Sequence, residues 1–431
     1  MDQIKQLTKK IFRWEARAVL RRYKPKIIAV TGSVGKSLSK EAIYLVLSKK
    51  FFVRKSEKSF TAELGVALTI IGCPNGTGSA LDWFRNLLLG LRLLLWKRPY
   101  PEYLILEIDG DKPGDLLGVS SFIHPDILVM TATGEVPSHI ESFRSMESFL
   151  FEKRAIINAV KREGVIIYNM DDSVTSNLLQ NVETKKVSCG VGKGADFFGT
   201  APEIIYSEKR IPTGMNFDIS SDGETHKINI LSSIGIQNEY AGLLAFAVGV
   251  QLGIQKSQIT TSLDKFTALA GRMNIVEGIK SSTIIDDSYN SSPIALEQAI
   301  SVFVELKSKG KKIVVVGDML ELGKYSVDEH RKVAGLLNGK IQKLICVGIR
   351  ARKISGELLN LGFNESNILS FDTAEEAGKE LQQMLQDNDL VLVKGSQAMR
   401  MERVVEEVMA KPQDRKRVLV RQEEEWLSRI E

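Results

Sequence analysis

Four consecutive apolar residues, Ile27-Ile28-Ala29-Val30, run straight into the turn Thr31-Gly32-Ser33-Val34-Gly35-Lys36-Ser37 and then into a helical pattern from Ser37 to Leu47. A strand apolar on both faces is characteristic of a parallel strand buried between two layers. A glycine turn between such a strand and a helix lets backbone N–H groups approach a phosphate, at a helix N-terminus that favours negative charge. The lysine can then meet terminal phosphates and the hydroxyl can ligate Mg²⁺. The strict G-x-x-x-x-G-K-[ST] form is absent, because Val30 stands where its first glycine would be. Gly32, Ser33, Gly35, Lys36 and Ser37 are therefore candidate nucleotide-binding residues, with Ser37 also a candidate metal ligand.

Comparable apolar runs recur at Tyr103–Ile108, Ile127–Met130 and Val165–Tyr168, with helical stretches between them. That alternation predicts an α/β domain with a mostly parallel sheet. From Phe197 to Ile230 the pattern is shorter and more polar, which predicts β-hairpins before a helix at Glu239–Leu252. A second alternating series follows Gly271, with strands expected at Thr283–Asp286, Lys312–Val316, Lys343–Val347, Ile368–Phe371 and Leu390–Lys394. Helices are expected at about Pro293–Lys307, Val327–Leu337, Arg350–Leu361, Ala374–Leu385 and Ala398–Val408. This reads as a Rossmann-like, doubly wound domain. No G-x-G-x-x-G follows any of these strands, which disfavours a nicotinamide enzyme. The expected organisation is a helix over 1–25, a central P-loop ATPase-type domain over 26–267, a second α/β domain over 268–410, and a charged tail over 411–431 with no core role.

The chain of 431 residues is 43% apolar and 26% charged, the balance of an ordinary folded protein. Its three cysteines, Cys73, Cys189 and Cys346, are far apart, which fits a reducing compartment and suggests neither a zinc site nor disulfides. No charged-then-apolar leader is visible, so export is not expected. The net charge of +5 is concentrated at the front: residues 1–26 hold nine basic side chains against two acidic, leaving the remainder at −2. The body is thus no nucleic-acid binder. Ile4, Leu7, Ile11, Trp14 and Ala18 recur at helical spacing, so the basic segment reads as an amphipathic helix over 3–22. Residues 80–98, within an unusual stretch at about 74–100, form a second helical pattern that is almost wholly apolar outside the strip Asp82, Arg85 and Arg92. Two expectations stay open for this pair of helices: they pack on each other over the core, or they lie at a membrane interface near a lipid-linked substrate.

The order of motifs resembles the Mur ligases, the enzymes that build the peptide stem of peptidoglycan. The similarity runs through Thr31–Ser37, Glu63–Val66, Leu106-Glu107-Ile108, Gly134–His139, Ser145–Lys153, Ala270–Met273, Asp286–Pro293, Gly317–Gly323 and Val393–Ser396. The D-D-S-Y-N, G-D-M-L-E-L-G and K-G-S elements are most similar to the family member that adds D-alanyl-D-alanine to a UDP-muramoyl tripeptide. The resemblance implies an ATP-dependent, amide-bond-forming ligase that proceeds through an acyl phosphate, in the cytoplasm; the two front helices leave the inner membrane face open as its place of work. It implies ATP and two Mg²⁺ ions as cofactors, and a small peptide precursor and an amino acid or dipeptide as partners. It further implies that Glu107, His139 and Ser37 ligate metal, and that Lys153 is carbamylated and bridges metal. Arg272 is expected at the γ-phosphate, Asp287 at the ribose, Asn238 at the nucleotide, and Asp318, Leu320, Lys394 and Ser396 at the incoming amine. Lys36, Lys153, His139 and Arg272 are the expected catalytic set.

Several positions depart from the pattern. Thr61 and Ala62 stand where asparagines are usual, Ala241 where an adenine contact is usual, and Ala155 where an acid is usual. One extra residue precedes His139. The resemblance covers about residues 26–410, and a UDP-gripping domain ahead of the P-loop is expected to be missing. The alternatives are a polyglutamate- or cyanophycin-type amino acid ligase and a catalytically silent ATP-binding regulatory subunit.

Overall fold

The computed structural model describes residues 2–57, 62–74, 80–192, 194–200, 202–267 and 269–427. Thr61, residues 75–79 and residues 428–431 lie outside the described residues. Among the described residues the first of two sheets has ten strands: β1 (Lys26–Thr31), β2 (Val53–Lys55), β3 (Tyr103–Glu107), β4 (Ile127–Met130), β5 (Val165–Asn169), β6 (Lys185–Val191), β7 (Phe197–Gly199), β8 (Glu203–Tyr206), β9 (Pro212–Ser221) and β10 (Glu224–Leu231). They lie in the order β10-β9-β7-β6-β5-β4-β1-β3-β2, with β8 also on β9. From β2 across to β7 every pairing is parallel, and β8, β9 and β10 add an antiparallel extension.

The second sheet comprises β11 (Asn274–Glu277), β12 (Thr283–Asp287), β13 (Lys312–Gly317), β14 (Lys343–Val347), β15 (Ile368–Phe371) and β16 (Leu390–Lys394). Its order is β11-β12-β16-β13-β14-β15, parallel except where β11 meets β12. The mostly parallel sheet and the doubly wound second unit match the expected fold class.

Helices α1 (Asp2–Tyr23), α2 (Lys36–Leu47), α3 (Glu63–Ile71), α4 (Ala80–Leu95), α5 (Asp115–Ser120), α6 (Met146–Asn158), α7 (Ser173–Leu179), α8 (Ile236–Gln251) and α9 (Lys256–Leu263) accompany the first sheet. The second carries α10 (Pro293–Glu305), α11 (Ser326–Leu337), α12 (Arg352–Asn360), α13 (Ala374–Met384) and α14 (Glu402–Val408). The run Ile27–Val30 is apolar throughout because successive side chains enter opposite cores. Ile28 and Val30 join α2 and α8 on one face, whereas Ile27 and Ala29 join α1 and α3 on the other.

The two apolar helices at the front do pack together. Phe12, Ala16 and Val19 of α1 are buried in the core that also holds Val66 and Ile70 of α3, and the Phe12 and Trp83 rings lie 5.6 Å apart. Among the described residues no helix is long and apolar enough to cross a membrane.

Two expectations need correction. The helix expected from Ala398 begins at Glu402, because Arg400 takes a left-handed φ of 50° and turns its guanidinium to Glu402 at 2.6 Å. The charged tail, expected to have no core role, contributes to the second unit. Leu419 is buried in its core, and the buried Arg421 donates to the backbone carbonyls of Ser288 and Tyr289 at 3.0 and 2.8 Å.

Candidate active site

In parallel α/β sheets, ligands gather where strand order reverses, at the carboxyl ends of the strands. β1 is such a place: the chain leaves it for β2 on one side and later returns to β4 on the other. The turn that follows β1 is tightly fixed. Ser33 and Val34 donate their N–H groups to the Ala132 carbonyl at 2.7 and 3.1 Å. Gly32 has a φ of 141°, and a Cβ there would sit 2.0 Å from Thr131 Oγ1, so only glycine fits. Gly35, at a φ of 89°, immediately precedes α2.

Lys36 opens α2 and turns back over the loop, donating to the Gly32 carbonyl at 2.9 Å. Its Nζ also lies 2.5 Å from Asp109 Oδ2. Burial disfavours the ammonium, but the charges of Asp109 and Glu107 outweigh it and hold the Lys36 pKa above its usual range. Ser37 donates its hydroxyl to Glu107 Oε1 at 3.0 Å, and Lys40, one turn later, meets Glu107 Oε2 at 3.0 Å. Glu107 ends β3, in register with Val30 of β1, which is why a strand-end carboxylate reaches the P-loop.

Asp109 also meets Lys153, whose fully buried Nζ lies 3.1 Å from Oδ1 and 3.3 Å from Thr31 Oγ1. Burial should raise the Asp109 pKa, yet Lys153 and Lys36 together drive it well below the usual carboxylate range. The Lys153 pKa is lowered, because burial outweighs the attraction of Asp109. His139 takes a left-handed φ of 64° and places Nδ1 at 2.5 Å from Glu321 of the second unit and Nε2 at 3.5 Å from Asp111. Burial works against its charge, but the Glu321 hydrogen bond and the Asp111 field raise its pKa.

A cleft between the two sheets is lined by Lys36, Ser37, Glu107, Asp109 and His139 from the first unit and by Arg272 and Tyr289 from the junction. Arg272 stacks its guanidinium 4.0 Å from the Tyr289 ring centroid and also lines a neighbouring pocket with Gly35, Asn238, Asp287 and Lys394. In that pocket Asn238 donates to Ser233 Oγ and the Ile234 carbonyl, both at 3.0 Å, while its Oδ1 is buried with no partner among the described residues. Ala241 faces the apolar core beside α2 and offers no polar group there.

Among the described residues the Lys394 ammonium shares no hydrogen bond with Asp318, Leu320 or Ser396. Its Nζ lies 2.6 Å from Asp287 Oδ2, on the side of the Asn238 pocket. Asp318, Leu320 and Ser396 do come together: the Leu320 N–H donates to Ser396 Oγ at 2.8 Å and the Ser396 N–H to the Asp318 carbonyl at 3.1 Å. The Asp318 carboxylate accepts from the Ala351 N–H at 2.7 Å.

Three participants escape the sequence reading. Asp109 sits in Ile108-Asp109-Gly110-Asp111, which resembles a plain turn, although an acid two residues past a strand-end glutamate was a visible signal. Lys40 is four residues after Lys36 on α2, so both face the same way. Glu321 lies in the quoted G-D-M-L-E-L-G segment, but nothing local ties it to His139. Among the described residues no three His, Cys, Asp or Glu side chains cluster to hold a metal on their own. Ser37 and Glu107 nevertheless form a hard-oxygen pair suited to Mg²⁺, which normally keeps waters and phosphate oxygens as its other ligands.

Residues 30–249 match the Mur ligase middle domain and residues 271–397 match the Mur ligase, glutamate ligase domain. The chain belongs to the Mur ligase family. It is 27% identical over 398 residues to the UDP-N-acetylmuramoyl-tripeptide--D-alanyl-D-alanine ligase of Bacillus subtilis (strain 168), covering 92% of this chain and 79% of that one. The fold matches the MurF ligase of Thermotoga maritima in complex with ADP at a TM-score of 0.72, with 23% identity over 93% of this chain and 83% of that one. MurF from Acinetobacter baumannii gives 0.74, with 20% identity over 92% and 79%. These likenesses do not favour a polyglutamate-type ligase or a silent regulatory subunit.

Proposed function

We propose that this chain joins D-alanyl-D-alanine to a muramoyl-peptide precursor in the cytoplasm, driven by ATP through an acyl phosphate, with ADP and phosphate released. The single observation that carries the reading is the cleft in which Lys36, Glu107, Asp109, His139 and Arg272 converge from the two units. Phosphoryl transfer to a carboxylate brings several negative charges together, so catalysis is largely positioning and charge neutralisation.

In this reading Lys36 and Arg272 neutralise the transferred phosphoryl group, and Asp287 holds the ribose. The unpartnered Asn238 Oδ1 suits an amino-group donor such as the adenine amine. Ser37 and Glu107 would hold the first Mg²⁺, and His139 and a carbamate on Lys153 would hold the second. The ions supply charge neutralisation when bound. A neutral amine is what carbon dioxide adds to, and the lowered pKa of Lys153 supports that. Asp318, Leu320 and Ser396 form the receiving end for the amine, and Lys394 supports the ribose side through its ion pair with Asp287. We also place the enzyme in contact with the inner face of the membrane, where an acceptor peptide can be presented on a lipid carrier.

The test is phosphate release from ATP with D-alanyl-D-alanine and a panel of UDP-linked, lipid-linked and free muropeptides. Release should require both the dipeptide and one acceptor class, and Lys36→Ala should lower it by roughly a hundredfold or more. Near-normal turnover by a folded Lys36→Ala protein would sink the assignment.

A further inference from the structure

Helix α4 has two apolar sides. The inner side, with Trp83, Leu87 and Leu93, packs on the α1/α3 core. The outer side is in solvent: Leu81, Phe84, Leu88 and Leu95 are 75%, 56%, 48% and 68% exposed, and Trp96 at the helix end is 60% exposed. Intervals of three, four and seven residues put the first four on one helix face. Soluble surfaces seldom leave so many large side chains contiguous and uncovered.

The charges around this face are mostly positive. Arg85 and Arg92 are exposed and border it, and Lys97 and Arg98 follow its end, against the single acid Asp82. Alongside, α1 exposes Trp14 with Lys10 four residues before it and Arg21 seven residues after it, so these share its outer face. Glu15, the lone acid in the middle of α1, points inward and is fully buried. A second copy of this chain docking here would bring its own cations against these, which is unfavourable. An anionic bilayer supplies both an apolar layer and the opposite charge. At 16 residues α4 is about 24 Å long, short of a bilayer's hydrocarbon core, so it suits lying in the interface and not crossing it. Tryptophans beside basic residues are typical of that depth.

We propose that the outer face of α4, with its flanking arginines and the basic face of α1, seats on the surface of an anionic bilayer. This deepens the membrane contact proposed above and is independent of the ligase chemistry.

The experiment is co-sedimentation of the full chain with vesicles of equal parts phosphatidylglycerol and phosphatidylcholine, and with phosphatidylcholine alone. The wild type should pellet with the anionic vesicles and be released by salt. Phe84→Ser/Leu88→Ser should lower partitioning by about tenfold or more, and Arg85→Ser/Arg92→Ser should weaken only the anionic component. Both variants should remain folded by circular dichroism and keep turnover on a soluble acceptor. If the wild type ignores anionic vesicles at low salt, the membrane contact itself fails. If it binds and Phe84→Ser/Leu88→Ser binds equally, the contact stands but this surface is wrong. A wild-type dimer that Phe84→Ser/Leu88→Ser converts to monomer, without vesicle binding by either, overturns the proposal in favour of self-association.

Discussion

Asp287 and Lys394 are direct neighbours in the register of β12 and β16, and their side chains close a buried ion pair at 2.6 Å. Burial lowers the Lys394 pKa despite that partner. Removing one member of such a pair leaves the other charge uncompensated. Lys394→Met should therefore destabilise the protein by about 3 kcal/mol in urea denaturation. Because the pair faces the Asn238 pocket, the same variant should raise KM for ATP far more than KM for the dipeptide. The opposite pattern in steady-state kinetics would return Lys394 to the amine site.

Asp109 supports two lysines at once. Asp109→Asn should leave Lys36 and Lys153 repelling each other across a neutral amide. Turnover should fall by about a hundredfold, and stability by about 3 kcal/mol. Measuring ATP turnover and chemical unfolding together checks both. A stable, active Asp109→Asn protein would show that the lysines do not need this carboxylate.

Lys153→Ala should be nearly inactive, and short-chain carboxylates should restore part of the activity by standing in for the carbamate. Activity of the wild type should also fall when carbon dioxide is rigorously removed from buffers. An active Lys153→Ala enzyme, or mass spectrometry and carbon-13 NMR that find no carbamate in the magnesium-loaded enzyme, would count against the role.

Glu15 gives a pH signature. Both its carboxylate oxygens are buried against α4 without a hydrogen-bond partner among the described residues, and burial pushes its pKa from 4.5 up to about 7. An acid whose folded pKa is raised favours the folded state only while protonated. Its contribution is thus full below pH 4.5 and is lost as pH rises through 7. Glu15→Gln should have wild-type stability near pH 4 and gain about 3 kcal/mol over wild type at pH 8. Urea titrations across that range decide it: a constant difference would mean the carboxyl does not titrate there.

The parts of this molecule legible in sequence are those where burial on both faces forces a continuous apolar run. β4, β14 and β16 coincide with their expected limits for that reason. The three-residue edge strand Val53-Arg54-Lys55 and the half-polar Lys185–Val191 carry no such signal and were not foreseen. Within the site, the P-loop is legible because its glycines and lysine have local jobs. Asp109 is not, since its significance depends on Lys153, 44 residues away on α6. The His139–Glu321 and Arg421–Ser288 contacts are likewise long-range pairings between polar groups, and polar spacing has no periodic trace.

The 2.5 Å contact between Lys36 and Asp109 has a kinetic meaning as well. On the proposed function, a nucleotide entering this cleft would have to take the lysine from a resident anion. Its affinity would then be a difference between two competing partners, with the loser still within reach. As product left, Asp109 would reclaim the ammonium before the phosphate had fully departed. The carboxylate that weakens binding would thus shorten the dwell time of ADP, trading grip for turnover.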